Sequence, residues 1–265
     1  MKMHLLNDRS TFRIQGEDTF EFLQSVLTAD INPLKENKAV ASCLLSAQGR
    51  VMYDFLLYPE DSDEFSCVVD CHNSEKQELI KKISMYKLRS NVNIEDCLNL
   101  NIAISFSKES NFIFDPRHKD LPFRYLIKDH NKNLFNNNDA LYLNSRLKLS
   151  VSEGPDEIPR GDALPLDFWM DKTSHVSFNK GCFIGQEVTA RVFHRNKIRR
   201  RLIVIDLKEI DFDKSDLPKN FKYINKVSNY LLLLAPTDFL KEYENKTQKP
   251  QIELLDRMNN FYFYN

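Results

Sequence analysis

Glycine is the residue that most constrains this chain, because only six of its 265 residues are glycine. Glycine reaches positive φ and allows close backbone approach at the lowest steric cost. A chain this poor in glycine is expected to use it where the geometry requires it. The six fall into four segments, 12–31, 44–55, 153–167 and 177–191. Two of them, Gly181 and Gly185, flank a single cysteine, Cys182, so this segment is the first candidate for a functional site.

The composition indicates a globular protein with a substantial core. Apolar residues make up 42% of the chain, and 37 Lys and Arg against 38 Asp and Glu give a net charge of −1. A nearly neutral chain has no general attraction to nucleic acid, and no apolar run approaches the ~18 residues that cross a bilayer. We therefore expect neither a nucleic-acid nor a membrane partner. The first residues, MKMHLLNDRS, have the pattern of neither a signal nor a transit peptide.

The cysteines favour a reducing compartment. There are five, an odd number, and none forms a CxxC pair, which argues against a disulfide framework. We expect a bacterial cytoplasm, or the mitochondrial matrix for a processed eukaryotic protein. Cys67 and Cys71 have a spacing that a metal pair can use, but Cys67 lies in a predicted strand without flanking ligands, so both are interpreted as structural.

Hydrophobic periodicity predicts an α+β fold without internal repeats. Strands are predicted at 12–14, 39–45, 51–58, 64–70, 92–94, 100–106, 123–127 and 198–207, and helices at 18–27, 73–86 and 139–149. Residues 131–138 and 208–223 are predicted loops, and the tail is predicted to be short and β-rich. The alternation in VTARVFH predicts a strand that carries Thr189, Arg191 and Phe193 on one face.

The segment from Lys180 to Glu187 combines features that point to chemistry. Gly181 and Gly185 let the backbone turn tightly on both sides of Cys182 and expose its sulfur. Lys180, together with Arg191 and Arg195 further along, supplies positive potential, which favours the reactive thiolate. Gln186 and Glu187 carry oxygens that can accept hydrogen bonds from the amino groups of a heteroaromatic ring.

Less specific interpretations of the same segment remain open. A single cysteine between a glycine and a phenylalanine is most often a small buried hydrophobe. The run Arg199-Arg200-Arg201 can be a nucleic-acid patch, but a short basic run on a neutral chain is usually a solvated face. His194 has no second ligand at metal spacing and is interpreted as a surface residue or a neighbour of the binding pocket.

Several motifs resemble one known family. The residues Lys180-Gly181-Cys182-Phe183-Ile184-Gly185-Gln186-Glu187, followed by Val188-Thr189-Ala190-Arg191, resemble the signature of the YgfZ family, a folate-binding group related to the T-protein of the glycine cleavage system. Further matches occur in order: FRIQGED at 12–18, LTADI at 27–31, Gln48-Gly49-Arg50, Tyr86-Lys87-Leu88-Arg89, Asp115-Pro116-Arg117, and IPRG and ALPLD between 158 and 167. The resemblance covers about residues 10 to 205 and is strongest to the mitochondrial-type branch and its bacterial relatives.

This resemblance implies a T-protein-like, or aminomethyltransferase-like, fold with ferredoxin-like units around a central cavity and a small C-terminal β-barrel. The folate-binding region would span 1–200 and the β-rich domain 201–265. The implied function is assembly or repair of iron–sulfur enzymes, with tetrahydrofolate as cofactor and with assembly proteins and client enzymes as partners. Cys182 and Lys180 are the implied chemical groups. The residues expected to bind folate are Gln186, Glu187, Arg191, Asp30, Gln48, Asp54 and Arg89, and no resident metal is expected.

Departures from the family pattern keep two alternatives open. Aminomethyltransferases carry paired acids where this chain has Tyr53-Asp54, which argues against aminomethyl transfer with Asp54 as the acid–base group. Position 167 is Asp where the family usually has Glu. The tail after residue 207 has no glycine, which predicts a reduced or open barrel because tight strand corners often use glycine. Besides the iron–sulfur assembly function and aminomethyl transfer, a third hypothesis remains: the chain is an interaction module that binds no folate and docks through the basic residues 191–201.

Overall fold

The structure is a computed structural model that describes residues 3–60, 65–96, 100–108, 110–128, 139–207, 212–244 and 261–264. Within these residues it contains twelve strands and five α-helices. The strands are β1 His4–Leu5, β2 Arg9–Gln15, β3 Val40–Leu45, β4 Val51–Glu60, β5 Ser66–His72, β6 Asn93–Asp96, β7 Leu100–Ser105, β8 Phe123–Lys128, β9 Arg200–Asp206, β10 Lys222–Val227, β11 Tyr230–Pro236 and β12 Phe261–Tyr262. The helices are α1 Thr19–Val26, α2 Lys76–Tyr86, α3 Asp139–Lys148, α4 Gln186–His194 and α5 Thr237–Glu244.

The described strands form three antiparallel sheets. The largest has the order β3-β4-β5-β2-β6, the second has the order β1-β7-β8, and the third has the order β10-β11-β9-β12. The hairpin β3–β4, which the sequence predicts, pairs Val40 with Leu57 and Leu44 with Tyr53. The mixture of helices with antiparallel sheets confirms the predicted α+β class. No described helix is long and apolar enough to cross a membrane.

The five-stranded sheet is buried on both faces, which explains why β4 reads as a nearly continuous apolar run. Phe55 and Leu57 point to the face covered by α1 and α2. Leu56 and Tyr58 point to the opposite face, where they pack with residues of β7. Successive side chains of a strand alternate between faces, so two apolar layers require apolar residues at consecutive positions.

The C-terminal sheet shows the same arrangement. Leu232 and Leu234 of β11 face a cluster that includes Cys43 and Val51 from the β3–β4 hairpin. The alternate side chains of β11, such as Leu233, lie in a second cluster with the buried Phe239 of α5. The third sheet is thus joined to the first by a shared apolar cluster. The boundary predicted between 200 and 201 stays a prediction.

A cluster of buried charges connects the first two sheets with α3. Its members are four arginines and four acids, each almost fully buried: Arg9, Arg117, Arg124, Arg146, Asp70, Asp115, Glu153 and Glu157. Arg124 bonds to both Asp70 and Asp115, at 2.7 and 2.8 Å. Burial alone would raise the pKa of Asp115, but Arg117 and Arg124 outweigh it and hold that pKa below its ordinary value. Breaking such a buried network leaves an uncompensated charge, which is strongly destabilising.

Most predicted elements are confirmed to within a few residues, and three differences stand out. The predicted strand from Val188 to His194 is wrong, because these residues form most of α4. The C-terminal tail contains α5 in addition to strands. The predicted loop at 208–223 ends early, since β10 begins at Lys222. The predicted loop at 131–138 and Cys97 lie outside the described residues.

Helix α4 follows from local signals at both of its ends. At its start, Gly185 has a φ of 76° and the side-chain Oε1 of Gln186 accepts a hydrogen bond from the N–H of Phe183 at 3.2 Å. At its end, Asn196 has a φ of 49°, and the N–H of Lys197 donates to Val192 at 3.0 Å. An asparagine in the left-handed conformation is a helix stop signal, and it outweighs seven residues of apparent alternation.

Candidate functional site

Cys182 lies on an exposed loop directly before α4. It is exposed, whereas the other described cysteines, Cys43, Cys67 and Cys71, are buried. Burial raises the pKa of Cys43 and of Cys67 to about 12, which keeps those thiols protonated. The interpretation of Cys182 as a buried hydrophobe is therefore wrong. Cys67 and Cys71 are buried in β5, which agrees with their interpretation as structural residues.

Lys180 anchors the loop from its N-terminal side. Its ammonium donates to three backbone carbonyls, those of Gln24 and Leu27 at 2.6 Å and that of Ala29 at 2.9 Å. These carbonyls lie at the C-terminal end of α1, where a positive charge is favoured. Burial lowers the pKa of Lys180 to about 8, although Asp30 opposes the shift. All three N–H groups serve to hold the loop, and a direct chemical role of Lys180 stays a prediction.

Gly185 anchors the loop from the other side by close backbone contact. A Cβ placed on Gly185 would lie 2.2 Å from the carbonyl oxygen of Ser46 and 3.2 Å from the Cα of Gly49. The turn that joins β3 to β4 therefore touches the backbone before α4, and only glycine fits at position 185. Gly181 is different, because no atom lies within 4 Å of the place that a Cβ would take and its φ is not positive. The sequence alone does not separate these two roles.

The structure brings several predicted binding residues to this loop. Gln48 is exposed in the turn that touches Gly185, and Glu187 and Arg191 are exposed on α4. The amide oxygen of Gln186 is engaged by the N–H of Phe183. Asp30 lies near Lys180, and its carboxylate accepts hydrogen bonds from Gln24 and Asn32.

Two other predicted binding residues lie elsewhere. Asp54 is buried in β4, where its carboxylate accepts from the N–H of Gly154 at 3.1 Å. Burial raises the pKa of Asp54 to about 6. Arg89 is exposed after α2 and lines a surface depression with residues of α1 such as Glu21. The predicted set is therefore divided among three places in the fold.

The surface beyond Cys182 is basic and partly aromatic. Exposed cations occur at Arg191, Arg195, Lys197, Arg199 and Arg200, and the ring of Phe193 stacks on that of Phe178 with centroids 3.8 Å apart. The third arginine of the predicted solvated run is not solvated. Arg201 is buried and pairs with Asp171 at 2.6 and 2.8 Å.

Sequence reasoning missed a cavity on the other side of the β3–β4 turn. This cavity, here called the Asp167 cavity, has a volume of about 290 Å³, and its lining includes Arg50, Asp162, Asp167, Arg200 and Lys222. Burial raises the pKa of Asp167 to about 6 despite the surrounding cations. Its carboxylate has no hydrogen bond to the described residues. The departure from Glu at position 167 was the sequence signal, but nothing in the sequence placed Arg50, Arg200 and Lys222 beside it.

Comparisons with known proteins agree with this architecture. The GCVT N-terminal domain family matches residues 6–102. The mitochondrial iron-sulfur cluster assembly factor IBA57 homolog of Pyricularia oryzae is 31% identical over 238 residues, which cover 82% of this chain and 59% of that protein. The mitochondrial iron-sulfur cluster assembly factor IBA57 of Homo sapiens is 30% identical over 231 residues, covering 76% of this chain and 65% of that protein. The chain thus spans about three fifths of the length of these curated relatives.

A solved structure shows the fold directly. The glycine cleavage system aminomethyltransferase T from Bartonella henselae superposes with a TM-score of 0.67, covering 90% of this chain and 79% of that chain at 12% sequence identity. At this identity the likeness establishes the fold and not the activity. The chain therefore has the T-protein-like fold predicted from its motifs and is related, in the broad sense, to the GCVT domain and the IBA57 proteins.

Proposed function

We propose that this chain belongs to the YgfZ family, nearest to its mitochondrial-type branch, and assists the assembly or repair of iron–sulfur enzymes through the thiol of Cys182. The observation that carries the proposal is an exposed cysteine on a loop fixed at both ends, by Lys180 on one side and Gly185 on the other. The names of the relatives, iron-sulfur cluster assembly factors, support the same function. Those names also place the relatives in mitochondria, which favours the mitochondrial matrix over a bacterial cytoplasm for this chain.

Cluster chemistry requires a partner protein. Common iron–sulfur clusters are held by four cysteine thiolates, and no three His, Cys, Asp or Glu side chains converge as a metal site within the described part of the chain. Cys182 would supply one thiolate, and an assembly protein or client enzyme would supply the others. The exposed cations from Arg191 to Arg200 favour a partner with an acidic face, since complementary charge steers association.

We propose that the pterin ring of a tetrahydrofolate enters the Asp167 cavity, whose volume of about 290 Å³ is too small for the whole molecule, and that the glutamate tail lies outside it, near the exposed Arg200. The pterin ring presents amino and ring N–H donors, and the partly buried carboxylate of Asp167 has acceptor capacity that no described residue uses. Arg200 forms no ion pair within the described residues, so it is available for the carboxylates of the glutamate tail. Arg50 joins this cavity to the turn that contacts the Cys182 loop. A bound reduced folate would supply a carrier of one-carbon units.

A complementation experiment tests the role of the thiol. Cells that lack their own assembly factor would receive the wild-type chain, Cys182→Ser or Cys182→Ala, and the activity of a [4Fe–4S] enzyme would be measured. We expect both variants to fail while remaining folded and abundant, because neither side chain can act as a thiolate ligand. Full activity with Cys182→Ser would refute the proposal and would favour the transferase alternative, in which Cys182 is incidental.

Folate binding is tested separately by titration of the purified chain. Tetrahydrofolate should bind to the wild type, and Asp167→Asn should weaken binding by about tenfold or more, since loss of a charged acceptor costs about 1.5–3 kcal/mol. Asp120→Asn, which changes an exposed carboxylate outside the Asp167 cavity, is the matched control. Equal affinity of the wild type and Asp167→Asn would show that folate, if it binds, lies elsewhere.

A further inference from the structure

Gly181 is a glycine whose backbone conformation does not explain its presence. All six glycines of the chain lie among the described residues. Five of them have a positive φ, which favours glycine: Gly16, Gly49, Gly154, Gly161 and Gly185. Gly181 has no positive φ. In a chain with so few glycines, this position requires another reason.

Close packing within the chain does not explain Gly181 either. A Cβ on Gly16 would lie 2.4 Å from the carbonyl oxygen of Asn91, and one on Gly185 would lie 2.2 Å from that of Ser46. Beyond its two chain neighbours, no atom lies within 4 Å of the place that a Cβ on Gly181 would take. An alanine would fit there, and it would lose less conformational entropy on folding. The glycine therefore leaves a space that the folded chain itself does not use.

This space lies beside the exposed sulfur. Gly181 and Cys182 are exposed, whereas the residues on either side of them turn inward. The ammonium of Lys180 donates to the carbonyl of Leu27 at 2.6 Å, and Phe183 is buried. Consecutive Cα atoms are about 3.8 Å apart, so a side chain at position 181 would stand next to Cys182. The N–H groups of Gly181 and Cys182 donate no hydrogen bond to other described residues.

We propose that Gly181 is a contact residue that lets the backbone of a partner protein approach the thiol of Cys182 closely. The inference rests on the proposed function, in which the partner supplies the other thiolates of a cluster that takes four. The chain that carries those thiolates must come close to the residue beside Cys182. Glycine permits the close approach of another backbone, and its free N–H can donate to a cluster sulfur, as such groups do around other clusters.

The surroundings of the loop indicate what kind of partner fits. Arg191 and Arg195 are exposed, and neither forms an ion pair with another described residue. On the same side of the chain's motif, Val188 and Phe193 of α4 are 36% and 37% exposed. Protein interfaces combine exposed apolar residues with a polar rim, and complementary charge steers association. The partner is therefore a protein with acidic residues around its cluster-binding thiolates.

A complementation experiment with side chains of increasing size tests the inference. Cells that lack their own assembly factor would receive the wild type, Gly181→Ala, Gly181→Val, Cys182→Ser or the control Ala140→Val, which adds bulk at an exposed position of α3. Expression is kept at a level that limits the activity of a [4Fe–4S] enzyme. Gly181→Ala should lower that activity about tenfold, which corresponds to about 1.4 kcal/mol and is a cost typical of overpacking. Gly181→Val should lower it further, and Ala140→Val should act as the wild type does.

A second readout separates contact with a partner from an effect within the chain. The purified Gly181→Ala and Gly181→Val proteins should be labelled at Cys182 by iodoacetamide at a rate within about twofold of the wild type, because a small reagent still reaches an exposed thiol. Their free energies of unfolding should differ from that of the wild type by less than about 1 kcal/mol.

Three results would overturn the inference. Full activity of Gly181→Val with loss of activity in Cys182→Ser would show that no partner comes close to Gly181, and would leave the proposed function of the thiol intact. Equal losses with Gly181→Ala and Gly181→Val would indicate a need for conformational freedom and not for space. Slower labelling of Cys182 in either variant would place the effect within the chain. Full activity of Cys182→Ser would refute the proposed function itself, and this inference with it.

Discussion

Replacement of Gly185 by alanine tests whether the Cys182 loop is fixed by close backbone contact. The new Cβ would lie 2.2 Å from the Ser46 carbonyl oxygen and 3.0 Å from the Cβ of Leu45, so the loop or the turn must move. Overpacking of this kind costs about 1–3 kcal/mol. The φ of 76° adds about 1–2 kcal/mol for an alanine in the left-handed region. We expect the free energy of unfolding to fall by about 3 kcal/mol in total.

Two other glycines separate the cost of the close contact from the cost of the positive φ. Gly161 has a φ of 75° but no atom within 4 Å of an added Cβ, so Gly161→Ala should show the conformational cost alone, about 1–2 kcal/mol. Gly181 has neither a positive φ nor a close neighbour. Gly181→Ala should therefore be neutral or stabilising by up to about 1 kcal/mol, because alanine restricts the unfolded chain.

Urea unfolding followed by the fluorescence of Trp169, the only tryptophan, measures all three variants. A loss of about 3 kcal/mol corresponds to a midpoint shift of about 1–3 M at ordinary slopes. From the most to the least stable, the variants should rank Gly181→Ala, Gly161→Ala and Gly185→Ala. Equal costs for Gly185→Ala and Gly161→Ala would refute the close contact with the β3–β4 turn, and a cost for Gly181→Ala as large as that for Gly185→Ala would refute the distinction between the two motif glycines.

Two further predictions concern buried charges. Lys180→Met should lower the free energy of unfolding by about 2–3 kcal/mol, since three carbonyls lose a charged donor. The control Lys197→Met, at an exposed position, should change it by less than about 0.5 kcal/mol. Equal effects of the two substitutions would contradict the anchoring role of Lys180. Burial raises the folded-state pKa of Asp54 to about 6 from 3.8, so ionisation of this carboxylate opposes folding. The resulting loss of folding stability is absent below about pH 4 and complete above about pH 6. Asp54→Asn should therefore reduce the loss of stability between these pH values by up to about 3 kcal/mol, and an unchanged profile in urea titrations would contradict the burial of this carboxylate.

The sequence predicts the architecture well where a pattern is local. The hairpin β3–β4 has apolar strands around a glycine turn, and α2 has a regular apolar face with buried Leu79 and Ile83. Both elements appear as predicted. Helix α4 is not predicted because the alternation of its seven residues from Val188 to His194 favours a strand, and the helix stop at Asn196, in the left-handed conformation, lies beyond that pattern.

The site is only partly predictable, since its contacts join distant parts of the chain. The motif allows both an exposed and a buried Cys182, and the structure decides between them. The ammonium of Lys180 bonds to carbonyls more than 150 residues away in the chain, which no local pattern predicts. In the same way, the Asp167 cavity brings Arg50 and Lys222 beside Asp167. A single sequence gives the identity of such residues but not their distances. Asp54 shows the opposite: the resemblance predicts that it binds folate, but it is buried in β4, away from the Cys182 loop.

The central claim is that the sulfur of Cys182 is exposed to solvent while the other described cysteines are buried. Time-resolved labelling of the native chain with iodoacetamide, with mass spectrometry of each cysteine peptide, tests this claim most directly. We predict that Cys182 is labelled at least about a hundredfold faster than Cys43, Cys67 and Cys71, because a buried thiol reacts only after local or global unfolding exposes it. Labelling of Cys182 no faster than that of Cys43 would contradict the account.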